Sequence, residues 1–93
     1  MARNVLASYY DGKKGYKGDD LYKDLYYSEL SNRLGGLPYK HKLRITYKGK
    51  SAVGKKGDTG TAGSKNPAID IHKKLAEKLK FPRSVENVTI KNA

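Results

Sequence analysis

The chain is short, strongly basic and free of cysteine. Its 93 residues, 37% of them hydrophobic and 31% charged, supply one domain spanning residues 1–93 and leave no length for a second core. A two-domain enzyme is therefore excluded, and a deep cofactor pocket is not expected. The absence of cysteine also excludes disulfides, thiolate zinc sites and thiol nucleophiles. With only two histidines in the chain, we predict no metal and no cofactor.

The charge balance predicts an anionic partner. Twenty Lys and Arg residues against nine Asp and Glu give a net charge of +11 at pH 7, which attracts nucleic acid, anionic wall polymers, acidic lipid headgroups or an acidic protein surface. The basic residues concentrate in residues 40–56, which contain no acidic side chain. The candidate polyanion-binding residues are Lys42, Arg44, Lys48, Lys50 and Lys55. The alternative is a solvated outer face that keeps a small barrel soluble.

The first half of the chain predicts extended, tyrosine-rich segments. Residues 5–10 are typical of a strand, and the glycine- and lysine-rich residues 13–18 predict an exposed loop. Residues 19–34 allow either one irregular helix or a loop with a helical turn. Residues 41–48 alternate between apolar and basic side chains, which is the clearest strand pattern in the sequence.

The second half predicts a return strand, a loop, a helix and a last strand. Residues 51–53 are a short strand candidate, and the glycines of residues 54–63 predict a loop. Residues 69–80 place apolar side chains at a spacing of four, which predicts a helix with Asp70 as its N-cap. Residues 85–90 predict a final strand.

Four short motifs, taken in order, resemble one family. They are Ala-Ser-Tyr-Tyr at 7–10, Leu-Pro-Tyr at 37–39 before a basic strand, Gly-Asp-Thr-Gly at 57–60, and Ile-Asp-Ile at 69–71. This series resembles the RlpA-like (rare lipoprotein A, expansin-like) double-psi β-barrel over about residues 5–91. The resemblance implies a mainly β fold: a small six-stranded double-psi β-barrel with one or two short helices.

The resemblance also implies a groove that accepts a polysaccharide, often peptidoglycan. It makes Asp58 a candidate catalytic acid, with Asp19 as a second candidate on the early loop. One general acid suffices for lytic-transglycosylase cleavage, whereas ordinary glycoside hydrolysis usually needs two flanking carboxylates. The alternative for Asp58 is a turn aspartate that hydrogen-bonds its own backbone. Candidate substrate-binding residues are Tyr10, Tyr39 and Lys56, although tyrosine is also the main large side chain available for the core.

The sequence departs from the family pattern at four positions. Thr59 and Thr61 replace the usual arginine and proline of the aspartate loop, Lys40 replaces a glycine, and His72 replaces a serine at the helix start. Family members are commonly exported lipoproteins, whereas this sequence shows no signal-peptide pattern, membrane span or cysteine. We therefore expect synthesis in the cytoplasm and delivery by other means, for instance within a bacteriophage particle.

Three functions follow, from different classes. The leading hypothesis is binding of cell-wall peptidoglycan or its lytic-transglycosylase-like cleavage, so enzymatic activity is left open. The first alternative is a non-catalytic structural or decoration protein of a virion that kept the fold. The third hypothesis is a nucleic-acid-binding module that uses the basic strand. It is the weakest of the three, because base-reading motifs are missing from the sequence. The expected partner is wall glycan or an acidic protein surface in an assembly.

Overall fold

Six strands close into a barrel around one apolar core. The structure, a computed structural model, describes residues 2–62 and 66–93. The elements are β1 (Arg3–Tyr10), β2 (Tyr26–Leu30), β3 (Lys42–Tyr47), β4 (Lys50–Gly60), β5 (Ile69–His72), α1 (Lys73–Leu79) and β6 (Glu86–Asn92). The strand order around the barrel is β1-β5-β2-β4-β3-β6. The mainly β fold class is confirmed, with one short helix in the described part of the chain.

Two of the strand pairings are parallel, which sets the topology. β1 pairs with β5, and β2 with β4, in parallel. The other four pairings, β1–β6, β2–β5, β3–β4 and β3–β6, are antiparallel. Parallel partners cannot be joined by tight hairpins, so the chain crosses between non-adjacent strands. This arrangement is compatible with a double-psi barrel.

The core is built from alternating strand residues and one helix face. Leu43, Ile45 and Tyr47 of β3 point inward, as their alternation with basic residues predicts. Burial of such a branched or aromatic side chain stabilises a domain by about 1.5–3 kcal/mol. The helix contributes Leu75 and Leu79, which are both fully buried. The strand with the clearest sequence pattern, β3, therefore has its apolar side chains on the core as predicted.

The predicted helix at residues 69–80 is wrong over its first four residues. Residues 69–72 form β5, and α1 begins at Lys73. Ile69 and Ile71 fit a period of two as well as a helical face, and parallel pairing with β1 decides between the two. Asp70 is therefore not the N-cap. That role belongs to His72, whose side chain accepts a hydrogen bond from the Lys74 backbone N–H.

The predicted loop at residues 54–63 is also wrong, because β4 continues to Gly60. Gly63 lies outside the described residues. A Cβ atom on Gly54 would lie 2.7 Å from Leu75, and one on Gly57 would lie 2.5 Å from Tyr26. Gly54 therefore permits close packing of β4 against α1, and Gly57 permits it against β2, a role that composition alone cannot distinguish from a turn. Likewise residues 19–34 contain a loop followed by β2, which is buried along its whole length.

A buried ion pair joins β2, β4 and the segment between β2 and β3. Glu29 is 1% exposed and Lys56 is 4% exposed, and the Lys56 Nζ lies 2.9 Å from the Glu29 Oε1. The Glu29 carboxylate also accepts hydrogen bonds from the backbone N–H groups of Leu34, Gly36 and Leu37. Burial opposes ionisation of Glu29, but Lys56 and these three donors together lower its pKa.

We predict that Glu29→Gln destabilises the fold by about 3 kcal/mol, because it leaves the Lys56 ammonium buried without a counter-charge. Lys56→Met should cost less, about 1–2 kcal/mol, since Glu29 keeps its three backbone donors. Urea denaturation of the three proteins at pH 7 measures both effects. Equal losses for the two variants would contradict the asymmetry.

The same pair predicts a pH dependence. Because folding lowers the pKa of Glu29, its contribution to stability is present above the unfolded-state pKa and is lost as pH falls through the folded-state pKa. The difference in unfolding free energy between the wild type and Glu29→Gln should therefore shrink on acidification. A constant difference between pH 7 and pH 3 would argue against an ionised Glu29.

Candidate functional site

Strand register aligns four polar side chains in one row across the sheet. Ser8 of β1 is opposite Asp70 of β5, Asp70 is opposite Ser28 of β2, and Ser28 is opposite Asp58 of β4. The residues flanking Ser8, Ser28 and Asp70 in sequence point toward the barrel interior, so the row occupies the opposite face of the sheet. We call Ser8, Asp70, Ser28 and Asp58 the polar row. Asp58 and Asp70 are both half-buried in it.

A β-bulge turns Asp58 toward this row. Tyr27 pairs with Lys56, but the next residue, Ser28, pairs with Asp58, so Gly57 is an extra residue in β4. Without the bulge, alternation would place Lys56 and Asp58 on the same face. With it, the Lys56 side chain enters the buried ion pair and Asp58 joins the opposite face. Gly57 suits this position because a larger side chain would collide with Tyr26.

Asp70 is the member of the row suited to hold a proton. Burial raises its pKa most, the charge of Asp58 raises it further, and the hydrogen bond donated by the Ser8 hydroxyl opposes them. Asp58 accepts a 2.9 Å hydrogen bond from the Thr59 backbone N–H, the local contact expected of a turn aspartate, although it lies in a strand. The arrangement thus combines a carboxyl of raised pKa with a second carboxyl group on the same face of the sheet.

Tyr10 lies beside the two carboxyl groups. Burial raises the pKa of its phenol most, and the charges of Asp58 and Asp70 raise it further. No residue within the described ranges hydrogen-bonds the buried Tyr10 hydroxyl. The ring packs edge-on against His72 at a centroid distance of 5.3 Å, and the His72 Nε2 lies 2.7 Å from the Gly12 carbonyl oxygen. The Tyr10 ring is therefore held in place by its contact with His72.

Asp19 and Tyr39 form a separate cluster. The Tyr39 hydroxyl donates a hydrogen bond to Asp19, which raises the pKa of Tyr39 to about 12. The Tyr16 ring packs edge-on against Tyr39 at 5.9 Å. The structure therefore brings Asp58 together with Tyr10 and Asp70, and places Asp19 with Tyr39. Lys56 is a predicted substrate-binding residue, but its ammonium group lies in the buried ion pair with Glu29.

Most of the predicted polyanion-binding residues are exposed. Lys42 and Arg44 point outward from β3, and Lys91 of β6 is in register with Arg44. Lys48 and Lys50, at the turn between β3 and β4, are also exposed. We call Lys42, Arg44, Lys48, Lys50 and Lys91 the basic face. Lys55 differs from them, because its Nζ lies 2.5 Å from the Asp24 carboxylate.

The comparisons with known proteins leave the family open. No family model matches this sequence, and no curated protein matches it. Within residues 2–62 and 66–93, no helix has the length and apolar character needed to cross a membrane. The same ranges hold no cluster of three or more His, Asp or Glu side chains arranged to bind a metal ion.

Sequence reasoning did not identify Asp70 as a functional residue. Its Ile-Asp-Ile context was interpreted as a helix start, which made the carboxylate a cap. The period-two alternation of Ile69 and Ile71 was the available signal for a strand, and a strand would have turned Asp70 away from the core. Its neighbours across the sheet depend on long-range register, which local pattern does not specify.

We predict that Asp70→Asn gains stability relative to the wild type as pH rises from 3 to 7. Folding raises the pKa of Asp70, so the contribution of this group is fully present below the unfolded-state pKa and declines as pH rises through the folded-state pKa. The asparagine side chain cannot ionise and escapes this loss. Denaturant titrations at several pH values measure the trend.

Asp24→Asn is the matched control for this trend. The Lys55 ammonium and the Leu25 backbone N–H lower the pKa of Asp24, so this variant should instead lose relative stability as pH rises. Parallel pH trends for the two variants would show that the environment of Asp70 is not the one described.

Proposed function

We propose that this protein is an RlpA-like double-psi barrel that cleaves bacterial cell-wall glycan with the Asp58–Asp70 pair. The observation that carries the proposal is the polar row: strand register sets the two carboxyl groups on one face, and both burial and the Asp58 charge favour a protonated Asp70. A carboxyl group of raised pKa beside a second carboxylate is typical of acid catalysis on glycosides. The family resemblance of the sequence points to the same glycan cleavage but makes Asp58 the acid, whereas this proposal gives that role to Asp70.

In the proposed reaction, Asp70 donates its proton to the glycosidic oxygen as the bond from that oxygen to the anomeric carbon breaks. The negative charge of Asp58 stabilises the positive charge that develops at the anomeric carbon. The C6 hydroxyl of the same sugar then attacks that carbon, and its proton passes to the Asp70 carboxylate. The product is a 1,6-anhydro sugar, no water is consumed, and Asp70 returns to its starting protonation state.

Two neighbours support this role of Asp70. The Ser8 hydroxyl donates a hydrogen bond to the Asp70 carboxyl and so fixes its orientation on the sheet. Tyr10 lies beside the pair with its hydroxyl buried, and burial is the largest cause of the raised pKa of Asp70. The proposal thus assigns catalysis to Asp70 and Asp58, and positioning to Ser8.

We predict that Asp70→Asn lowers release of anhydro sugars from purified peptidoglycan by about 10²–10⁴-fold, the usual contribution of a general acid. Asp58→Asn should also lower the rate, because Asp70 loses the charge that favours its protonated form. Mass spectrometry of the soluble products measures both rates. Asp24→Asn, which alters an exposed carboxylate elsewhere, is the matched control. Full activity of a folded Asp70→Asn variant would refute the proposal.

The basic face supports a second candidate function, attachment to a polyanion. The β4 and β6 partners of Lys42 and Arg44 are Lys55, Val53 and Lys91, none of them acidic. Their positive charge therefore remains uncompensated along two strands, which favours contact with a phosphate-rich polymer.

We predict that binding to polyphosphate weakens steeply with salt. The slope of log affinity against log salt should decrease in magnitude by about one for each of Lys42, Arg44 and Lys91 replaced by glutamine, if each neutralises one phosphate. Fluorescence anisotropy with a labelled polymer measures the slope. Lys74→Gln on α1 is the control, and an equal effect of that change would indicate attraction by net charge alone.

A further inference from the structure

A concave site lies beside α1. It is a groove of about 400 Å³, within the usual range for small-molecule sites. Its apolar part consists of Tyr9, Phe81 and Pro82, and its charged part is dominated by Lys73, Lys80 and Arg83. We call it the anion groove. Tyr9 follows Ser8 in β1, but its side chain packs against the core, on the face of the strand opposite to the polar row.

The charge of the groove is net positive. Three cations line the groove, and the acidic residue of its lining is Glu77. Glu77 is exposed, and its carboxylate lies 3.9 Å from the ammonium of Lys74, which is not part of the lining. Asp11 is the other nearby acid: its pKa is lowered first by the hydrogen bond from Tyr22, and also by the charges of Lys73 and Arg83. The Arg83 guanidinium lies over the Tyr9 ring at 5.1 Å, which holds this cation at the groove wall.

Lys80 occupies a position where glycine is the usual residue. It ends α1 in the left-handed conformation, with φ 54° and ψ 35°, and its backbone N–H bonds the carbonyl oxygens of Ala76 and Glu77. Glycine accepts this conformation without steric penalty, whereas lysine does not. A lysine here therefore costs backbone energy, while its side chain adds a cation to the groove.

We propose that the anion groove binds the carboxylate or phosphate of an anionic amino sugar, with the sugar ring against Tyr9 and Pro82 and the anion among Lys73, Lys80 and Arg83. The inference rests on the proposed function for its choice of sugar, because bacterial wall glycans carry such acidic groups. It adds a binding subsite for the glycan that is separate from the polar row.

Three monosaccharides that share one ring test the proposal by amide chemical shifts in NMR titrations. The probes are N-acetylmuramic acid, N-acetylglucosamine 6-phosphate and neutral N-acetylglucosamine. We expect the acidic sugars to shift Tyr9, Lys80 and Arg83, and the neutral sugar to leave them unchanged. A response to the carboxylate alone assigns the site to muramic acid, and a response to the phosphate alone assigns it to phosphorylated wall polymers. Equal responses to all three probes, or shifts elsewhere, would overturn it.

Variants at left-handed lysines separate charge from backbone effects. Lys80→Gly and Lys80→Asn both suit this conformation, so they should fold and weaken binding of the acidic sugar about fivefold, the effect of one exposed charge. Lys40→Gly makes the same change at φ 65°, at a position outside the groove lining, and should leave binding unchanged. Unchanged affinity in both Lys80 variants would reject the groove.

Failure of the groove proposal and failure of the proposed function give different experimental results. Sugar binding at the groove without any cleavage of peptidoglycan would leave the subsite standing and remove the catalytic role of the polar row. Cleavage that requires Asp70, without a response of the groove to any acidic sugar, would leave the catalytic role of the polar row standing and remove the subsite.

Discussion

The buried pair of Glu29 and Lys56 holds together the parts of the molecule on which the candidate site depends. Glu29 follows Ser28 directly, and Ser28 is the residue at which β2 meets both Asp70 on one side and Asp58 on the other. By accepting bonds from Lys56 of β4 and from three backbone N–H groups, Glu29 fixes β2 against its parallel neighbour. A slip of one residue at this pairing would turn Asp58 to the opposite face.

The bulge at Gly57 and the Glu29–Lys56 ion pair depend on the same part of the β2–β4 register. Lys56 points into the ion pair and Asp58 points into the polar row only because one unpaired residue separates them in register. Gly57 makes that possible by letting β4 approach the Tyr26 ring. The core interaction and the functional face are therefore determined by three consecutive residues of β4. Stability and activity should be difficult to alter independently at this place.

Local pattern predicted those parts of the fold where one face meets the core and the other meets water. β3 follows this rule and was predicted closely, whereas β2 is buried along its whole length and shows no alternation. For the candidate site, the sequence motifs predicted Asp58 and Tyr10, but they did not specify the pairing of β5 between β1 and β2 that adds Asp70 to the row. Lys40, at φ 65°, adopts a conformation that glycine accepts more easily than lysine.

Asp70 and Asp58 form one electrostatic unit, in which burial and the Asp58 charge raise the pKa of Asp70. Carboxyl-carbon NMR titration of the wild type and of Asp58→Asn measures this for each group separately. We expect Asp70 to titrate above the ordinary pKa of an aspartate in the wild type, and at lower pH once the Asp58 charge is removed. An Asp70 that titrates at or below that ordinary value, or that is indifferent to the change at residue 58, would contradict this coupling.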